Sequence, residues 1–416
     1  GAAVMVEWPE RAAAFIQADR LDVSLSVSAD LPPEARRVHL TGFGEWAERL
    51  ARFRAVRELI DGAGFGGADR KPIQGDASGR SYERLFLNPG TAILMNSPPR
   101  PDGPPIKDGK PYSAIAHLAE NVRPFVALSR ALRERGFSAP EIYAADIENG
   151  FLVIEDLGED GVITHAEPPA PIEHLYASAI DTLIALHTLE LPAKLPVSPR
   201  IEHVLPSYDL DAFLVEAELL LDWYLPYRGA APLSRPMRDY FASLWRAALG
   251  DIAAGPKTWV LRDYHSPNLL WLPAREGVAQ VGLLDFQDAV MGPAAYDVAS
   301  LLTDARVDVP SEMALTLLSR YVVGRVAADP NFSPDEFARH YVALSAQRAT
   351  KILGIFARLA KRDGKKQYLA HLPRVWGYLS RALAHPSLAK LNSWYQAHVP
   401  PPTSERSEAE QSVPVP

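Results

Sequence analysis

The sequence predicts an α+β protein of two lobes, a small β-rich one followed by a larger helical one, with a short β-rich segment ahead of both. Three observations predict this. The stretch from Ser81 to Glu155 is dense in strand patterns, and from Glu155 onward the chain reads as mostly helical, interrupted only near Trp259 to Asp288. A chain of 416 residues is long enough for two or three domains of about 150 residues each, so two separate cores can form.

Composition narrows the class. Apolar residues make up 47% and charged residues 23%, the profile of a soluble globular chain. With 43 Lys and Arg against 51 Asp and Glu the formal charge is −8. That acidic excess argues against nucleic acid as a main partner, because phosphate backbones call for a concentrated basic surface. There are no cysteines, which removes disulfides, thiol catalysis, zinc–thiolate sites and iron–sulfur clusters and fits a reducing cytoplasm, the expected location. No apolar run approaches the roughly 18–20 residues of a membrane span. The longest candidate, Ala212 to Leu225, is broken by Glu216, Glu218 and Asp222, and Glu7, Trp8 and Pro9 interrupt any signal-peptide core. No membrane partner is expected.

Taken in order, residues 1–44 read as short strands: Val4 to Glu7, Leu21 to Val27 and Arg37 to Leu40. Leu21, Val23, Leu25 and Val27 alternate as in a half-buried strand. Residues 45–65 form a linking helix, with Trp46, Leu50, Phe53, Val56 and Ile60 at helical spacing and Gly62 where a C-terminal glycine cap belongs. The small lobe spans 66–155. It holds a strand Tyr82 to Leu87, a turn at Asn88-Pro89-Gly90, a strand Thr91 to Met95, a helix near Asn121 to Glu134 and a strand Phe151 to Ile154. The helical lobe spans 156–400, and 401–416 is a polar, proline-rich tail expected to be disordered.

The chemistry is densest around Asp263. An apolar strand from Thr258 runs into a polar loop with Asp263 and Asn268, and a second apolar run from Val281 ends at Asp285. If the strands on either side of Pro273 to Gly277 pair as a hairpin, the acidic ends and the Asn converge. Phosphoryl transfer uses such a set: one carboxylate takes the proton of an attacking hydroxyl, while a second carboxylate and an amide oxygen hold magnesium against nucleotide phosphates. Asp263 is therefore the candidate base, and Asn268 and Asp285 the candidate metal ligands. Asp288 is assigned a structural hydrogen bond, and Asp297 is expected to cap or brace a helix.

Asp263-x4-Asn268 followed by Leu284-Asp285-Phe286 has the arrangement of a kinase catalytic loop and metal loop. The segments Leu261 to Asn268 and Leu284 to Asp288 resemble the aminoglycoside phosphotransferase family, which implies a protein-kinase-like fold with ATP and Mg2+ as cofactors. That family usually has His two residues before the catalytic Asp; this chain has Leu261. Gln74 to Arg84 precedes a strand and suits a phosphate-covering loop, with Ser78, Gly79 and Arg80 as candidates. Phe151 to Gly158 resembles the family's hinge, whose backbone at Glu155, Asp156 and Leu157 would meet the adenine edge. The strand Thr91 to Asn96 lacks the lysine that kinases use on the phosphates. Arg84 is the first choice to replace it, with Arg80 and Lys107 as alternatives.

The resemblance continues through Gly75 to Ser78, Ile93 to Pro99, Leu284 to Pro293, Lys351 to Ala360 and Arg362 to Lys365. These segments are similar to a subgroup of anomeric kinases of N-acetylmuramate and N-acetylglucosamine in peptidoglycan recycling. The implied reaction places phosphate on the C1 hydroxyl of an N-acetylated amino sugar. Acids and aromatics near Tyr208 to Tyr227 suit sugar hydroxyls and ring faces, so Glu216 and Trp223 are candidate sugar contacts, with core packing the alternative for Trp223 and Tyr224. His265 and Gln287, neighbours of the metal and base residues, are candidates as well. A kinase of the same fold acting on an aminoglycoside, choline or homoserine is the second reading. Val6 to Glu10, Leu21 to Val27 and Arg37 to Gly44 resemble the last part of the TsaE family of tRNA threonylcarbamoyladenosine ATPases. That resemblance implies a remnant or truncated fusion without its phosphate loop, a possible link to tRNA-modification proteins, and a third reading as a catalytically silent nucleotide-binding partner.

Overall fold

The computed structural model describes residues 5–8, 11, 16–30, 32, 34–73, 79–99, 103–159 and 168–402. The chain opens with strands β1 (Arg20–Ser26) and β2 (Arg37–Phe43) and helix α1 (Glu45–Gly62). Strands β3 (Asp69–Ile73), β4 (Ser81–Leu87) and β5 (Gly90–Asn96) follow. Then come β6 (Pro105–Lys107), β7 (Lys110–Pro111), α2 (Tyr112–Ile115), α3 (Arg123–Arg133), β8 (Ile142–Asp146) and β9 (Phe151–Glu155). The later chain runs through α4 (Ile172–Thr188), β10 (Lys194–Ser198), β11 (Ile201–Val204), α5 (Leu210–Leu219), α6 (Leu225–Tyr227) and α7 (Arg235–Ala254). Four short strands, β12 (Thr258–Val260), β13 (Leu269–Trp271), β14 (Val281–Leu283) and β15 (Val290–Gly292), precede α8 (Ala295–Leu302), α9 (Ser311–Ala328), α10 (Pro334–Asp363), α11 (Leu372–Leu383) and α12 (Ala389–His398).

The chain divides into two compact units, residues 1–99 with 142–156, and residues 100–141 with 157–416. Residues 100–141, which the sequence reading put in the small lobe, belong to the second unit. Long-range bonds tie them there: Ser138 Oγ donates to the carbonyl of Ala279, and the Leu283 N–H donates to Ser138 O.

The first unit is built on an antiparallel sheet of order β3-β4-β5-β9-β8. The chain reaches β9 next to β5 because Phe151 to Ile154 is apolar on both faces and needs a central position. Helix α1 covers one face, its Val56 and Ile60 packing with Leu85, Ala92, Leu94, Phe151 and Val153. The expected stripe is only partly used, since Phe53 is exposed. Gly62 stays within the helix, and Gly64 at φ +84° takes the left-handed position instead. Strands β1 and β2 form as expected and pair antiparallel. Their apolar alternation is covered only at one end: α1 packs against the face at Gly42, opposite the half-buried Leu21, while Val23 is 55% and Leu25 66% exposed. Met5 to Glu7 is not a strand, and Val4 lies outside the described residues.

In the second unit, α10 is the spine. It packs against α5, α8 and α11 and is buried almost continuously from Ala343 to Leu359. Gly354 makes the closest approach: a Cβ there would stand 2.4 Å from the carbonyl carbon of Leu219. Immediately after Leu219 the helix widens into a π turn, Leu220–Tyr224. No helix among the described residues is long and apolar enough to cross a membrane. The expected disorder of 401–416 falls, from residue 403 on, outside the described residues.

Candidate active site

The site is assembled by two antiparallel strand pairs. Strand β13 pairs with β14, Leu269 opposite Leu283, so Asn268 and Asp285 leave the same end of one hairpin. The Leu284 N–H donates to the Asn268 carbonyl at 2.9 Å and extends that pairing to the residue before Asp285. Strand β12 pairs with β15, Val260 opposite Val290, and delivers Asp263. The three residues singled out by the sequence are thus carried by neighbouring, hydrogen-bonded segments.

Asp263 follows a tight turn. Its N–H donates to Leu261 O at 2.8 Å, and Arg262 between them sits at φ +67°. This is a γ-turn of the strained hand. Asp297 of α8 accepts the Leu261 N–H at 2.6 Å and the Arg262 N–H at 2.9 Å, so it braces the loop, while the start of its own helix has no side-chain cap. Burial pushes the Asp297 carboxyl up to about 7, and those two N–H groups pull the other way. Leu261, standing where the family usually has His, is buried and contributes through its backbone. Burial pushes the Asp263 carboxyl up as well, but Arg348, His265, Lys351 and Arg262 outweigh it and hold it below the usual carboxylate range.

Asn268 Nδ2 donates to the Asp263 carbonyl at 2.9 Å, which leaves Oδ1 as the oxygen free to face a cation. The short turn Ser266–Asn268 is steadied by Asp304, which accepts the Ser266 N–H at 3.0 Å. Asp285 is held at φ +56°, and Gln287 Nε2 donates to its Oδ1 at 2.9 Å. An amide oxygen and a carboxylate are hard ligands that suit magnesium, which keeps several waters and takes its remaining ligands from phosphates. The buried Gln287 Oε1 has no partner, an orphaned acceptor beside that pair. Among the described residues no cluster of three or more acidic or His side chains forms a protein-only metal cage. Asp288 takes the structural role expected of it, accepting the Ala119 N–H at 2.6 Å.

Glu216 corrects the sequence reading. It is fully buried, and its carboxylate accepts from Lys351 Nζ at 2.7 Å, Tyr208 OH at 2.5 Å, Gln347 Nε2 at 3.2 Å and the Arg262 guanidinium. No lone pair faces solvent for a sugar hydroxyl, so Glu216 is a structural anion. Burial alone would raise its pKa, but Lys351 and Arg262 bring it down to about 2. Arg262 carries the network onward, donating to the Ala116 carbonyl at 2.8 Å. Tyr224 is core, its hydroxyl donating to Pro400 O. Trp223 is half-buried in the π turn, and no described hydrogen bond or ring contact joins it to the Asp263 loop. His265 is buried against Asn268, with Nδ1 unpartnered. Gln287 has its amide nitrogen engaged by Asp285.

In the first unit, Arg84 and Asp156 occupy each other. Arg84 Nε stands 2.7 Å from Asp156 Oδ2 and Nη2 donates to Oδ1 at 3.2 Å, both side chains largely buried. Arg84, the first choice for a cation facing the phosphates, is thus engaged by a carboxylate of its own unit. Lys107 is paired with Asp211 at 2.8 Å. Strand β5 has no lysine, as read. Ser78 lies outside the described residues, while Gly79 and Arg80 lead directly into β4. Glu155 ends β9 opposite Ala92, and the first unit ends at Asp156, with Leu157 beginning the next stretch of the second.

The sequence did not reveal Arg348, Ser300, Asp304 or the partners of Glu216. The one available signal was a pair of cations, Arg348 and Lys351, three residues apart within an apolar helix, where buried charge requires partners.

The profile of the phosphotransferase enzyme family matches residues 69–332, so residues 1–44 lie outside it. The chain is 37% identical over 355 residues to the N-acetylmuramate/N-acetylglucosamine kinase of Caulobacter vibrioides, covering 83% of this chain and 96% of that protein. It is 32% identical over 342 residues to the kinase of the same name from Pseudomonas aeruginosa, covering 80% and 90%. Among solved structures, Plasmodium vivax ethanolamine kinase aligns with a TM-score of 0.52 at 11% identity, covering 84% of this chain and 92% of that one. Choline kinase LicA from Streptococcus pneumoniae aligns at 0.51 and 15%, covering 82% and 99%. These two likenesses show the two-lobed kinase-like fold.

Proposed function

Because this chain belongs to the phosphotransferase enzyme family, we propose that it is an ATP-dependent kinase of N-acetylmuramate and N-acetylglucosamine that phosphorylates the C1 hydroxyl, a step of peptidoglycan recycling. The observation that carries this reading is the name shared by four relatives at 31–37% identity over most of the chain. The convergence of Asp263, Asn268 and Asp285 supports it chemically.

Asp263 is assigned as the base. The C1 hydroxyl oxygen attacks the γ-phosphorus of ATP and its proton passes to the Asp263 carboxylate. The new O–P bond forms as the bond to the β–γ bridging oxygen breaks, giving a sugar 1-phosphate and ADP. A carboxyl held below its usual range is ionised, and so ready to accept, at neutral pH. Asn268 and Asp285 would hold magnesium, which when bound neutralises phosphate charge. Nucleotide recognition is assigned to Gly79, Arg80 and the backbone of residues 155–157. Of the four candidate sugar contacts, His265 and Gln287 are the two that stand beside the assigned metal ligands, His265 against Asn268 and Gln287 against Asp285.

The test is a coupled assay with ATP and magnesium over amino sugars, aminoglycosides, choline and homoserine, followed by NMR of the product. Phosphate on C1 of N-acetylmuramate or N-acetylglucosamine is expected. Turnover confined to a different acceptor, or phosphate at another sugar position, would replace this reading.

A further inference from the structure

The turn that carries Asp263 is gripped from both sides. Asp297 of α8 holds the N–H groups of Leu261 and Arg262, as described above. On its other side, the Arg262 carbonyl accepts from Arg348 Nη1 of α10 at 3.1 Å and from Ser300 Oγ of α8 at 3.3 Å. The residue between these grips is in the left-handed region with a long side chain. Such backbone persists only where its surroundings over-determine it.

Arg348 is an unusual group to hold a carbonyl. It is only 5% exposed, and no described carboxylate forms an ion pair with it. Its Nε has no hydrogen-bond partner, and its guanidinium lies 5.7 Å from the Tyr296 ring centroid. A buried cation is costly unless paired, and an apolar side chain of similar volume is commonly as good or better for stability. Burial opposes its charge, and Tyr296, Asp263 and Asp304 support it.

We infer that Arg348 is a positioning residue for phosphoryl transfer: by holding the Arg262 carbonyl from α10 it fixes the turn that aims Asp263. The inference rests on Asp263 being the base.

Steady-state kinetics on the full chain, with ATP and the amino sugar the wild type turns over, test it. Arg348→Gln is expected to lower kcat about 10- to 100-fold, the scale of a misplaced reacting group. The KM for ATP is expected to change by less than about threefold, because the nucleotide contacts are untouched. Arg348→Lys can reach the same carbonyl with one donor but not reproduce the planar fork, so an intermediate loss of about three- to tenfold is expected. A folded Arg348→Gln protein with kcat within about twofold of wild type overturns the inference. If that variant does not fold, a wild-type kcat in Arg348→Lys overturns it instead. Asp263→Asn run in parallel separates the two levels: turnover retained there removes the base assignment, whereas turnover lost there but intact in the Arg348 variants removes only the positioning role.

Discussion

At the scale of single residues, the site depends on two side chains placed by strained backbone. Asp263 follows Arg262 at φ +67°, and Asp285 itself sits at φ +56°. L residues occupy this region at a cost of order 1–3 kcal/mol, here offset by bonds from Asp297, Arg348 and Gln287. Asp263→Asn keeps the volume and removes proton acceptance. Turnover is expected to fall by about 10² or more while nucleotide still binds; near-normal turnover in a stopped assay would exclude Asp263 as the base. Asp285→Ala leaves one neutral amide at the metal position. Magnesium is then expected to lose its effect on ATP affinity in calorimetric titration, and the same magnesium-dependent tightening as wild type would show that Asp285 is not a ligand.

At the scale of elements, the contact between α5 and α10 places Glu216 against Lys351 and Arg262. It exists because Gly354 presents no Cβ to the backbone of Leu219. Gly354→Ala adds a methyl within 2.6 Å of three atoms of Leu219, two of them backbone. Overpacking of this kind costs about 1–3 kcal/mol, more than the roughly 1 kcal/mol that Ala gains over Gly in a helix. A lower urea midpoint is expected together with reduced kcat, and a variant as stable as wild type would mean that the two helices are free to separate. The same comparison shows which elements could be read from sequence. The β13–β14 hairpin was legible because its strand pattern, turn and polar ends lie within about two dozen consecutive residues. The burial of Glu216 was not: acids on an amphipathic helix look alike whether they line a site or bond to cations, and its partners Arg262 and Lys351 lie 46 and 135 residues away. Alternation in β1 predicts half-burial, yet alternation states only that one face is apolar, and Val23 and Leu25 on that face are exposed. Arg84 and Asp156 were assigned separate roles because nothing local in the sequence pairs residues 72 apart.

At the scale of the whole chain, the Glu216 network joins helix α5, the catalytic loop and the long helix α10 through one buried carboxylate. That makes the stability of the second unit depend on the charge of Glu216. Burial favours the neutral acid, but Lys351 and Arg262 win and bring the folded-state pKa to about 2, against 4.5 in the unfolded chain. Between those values the unfolded state binds the proton and the folded state does not, so stability rises with pH through this window. The contribution is complete above about pH 4.5 and is lost as pH falls toward 2. Glu216→Gln keeps the shape but strands Lys351 and Arg262 as buried cations, at a cost of about 3–5 kcal/mol near neutrality. Urea denaturation of both proteins from pH 3 to pH 7 tests the argument. The gap between the curves is expected to be widest at neutral pH and to narrow steadily below pH 4.5, because acid removes from the wild type the same charge that the substitution removes outright. A gap that stays constant down to pH 3 would mean that Glu216 carries no titration-linked stability and that its bonds to Lys351 and Arg262 act by shape alone.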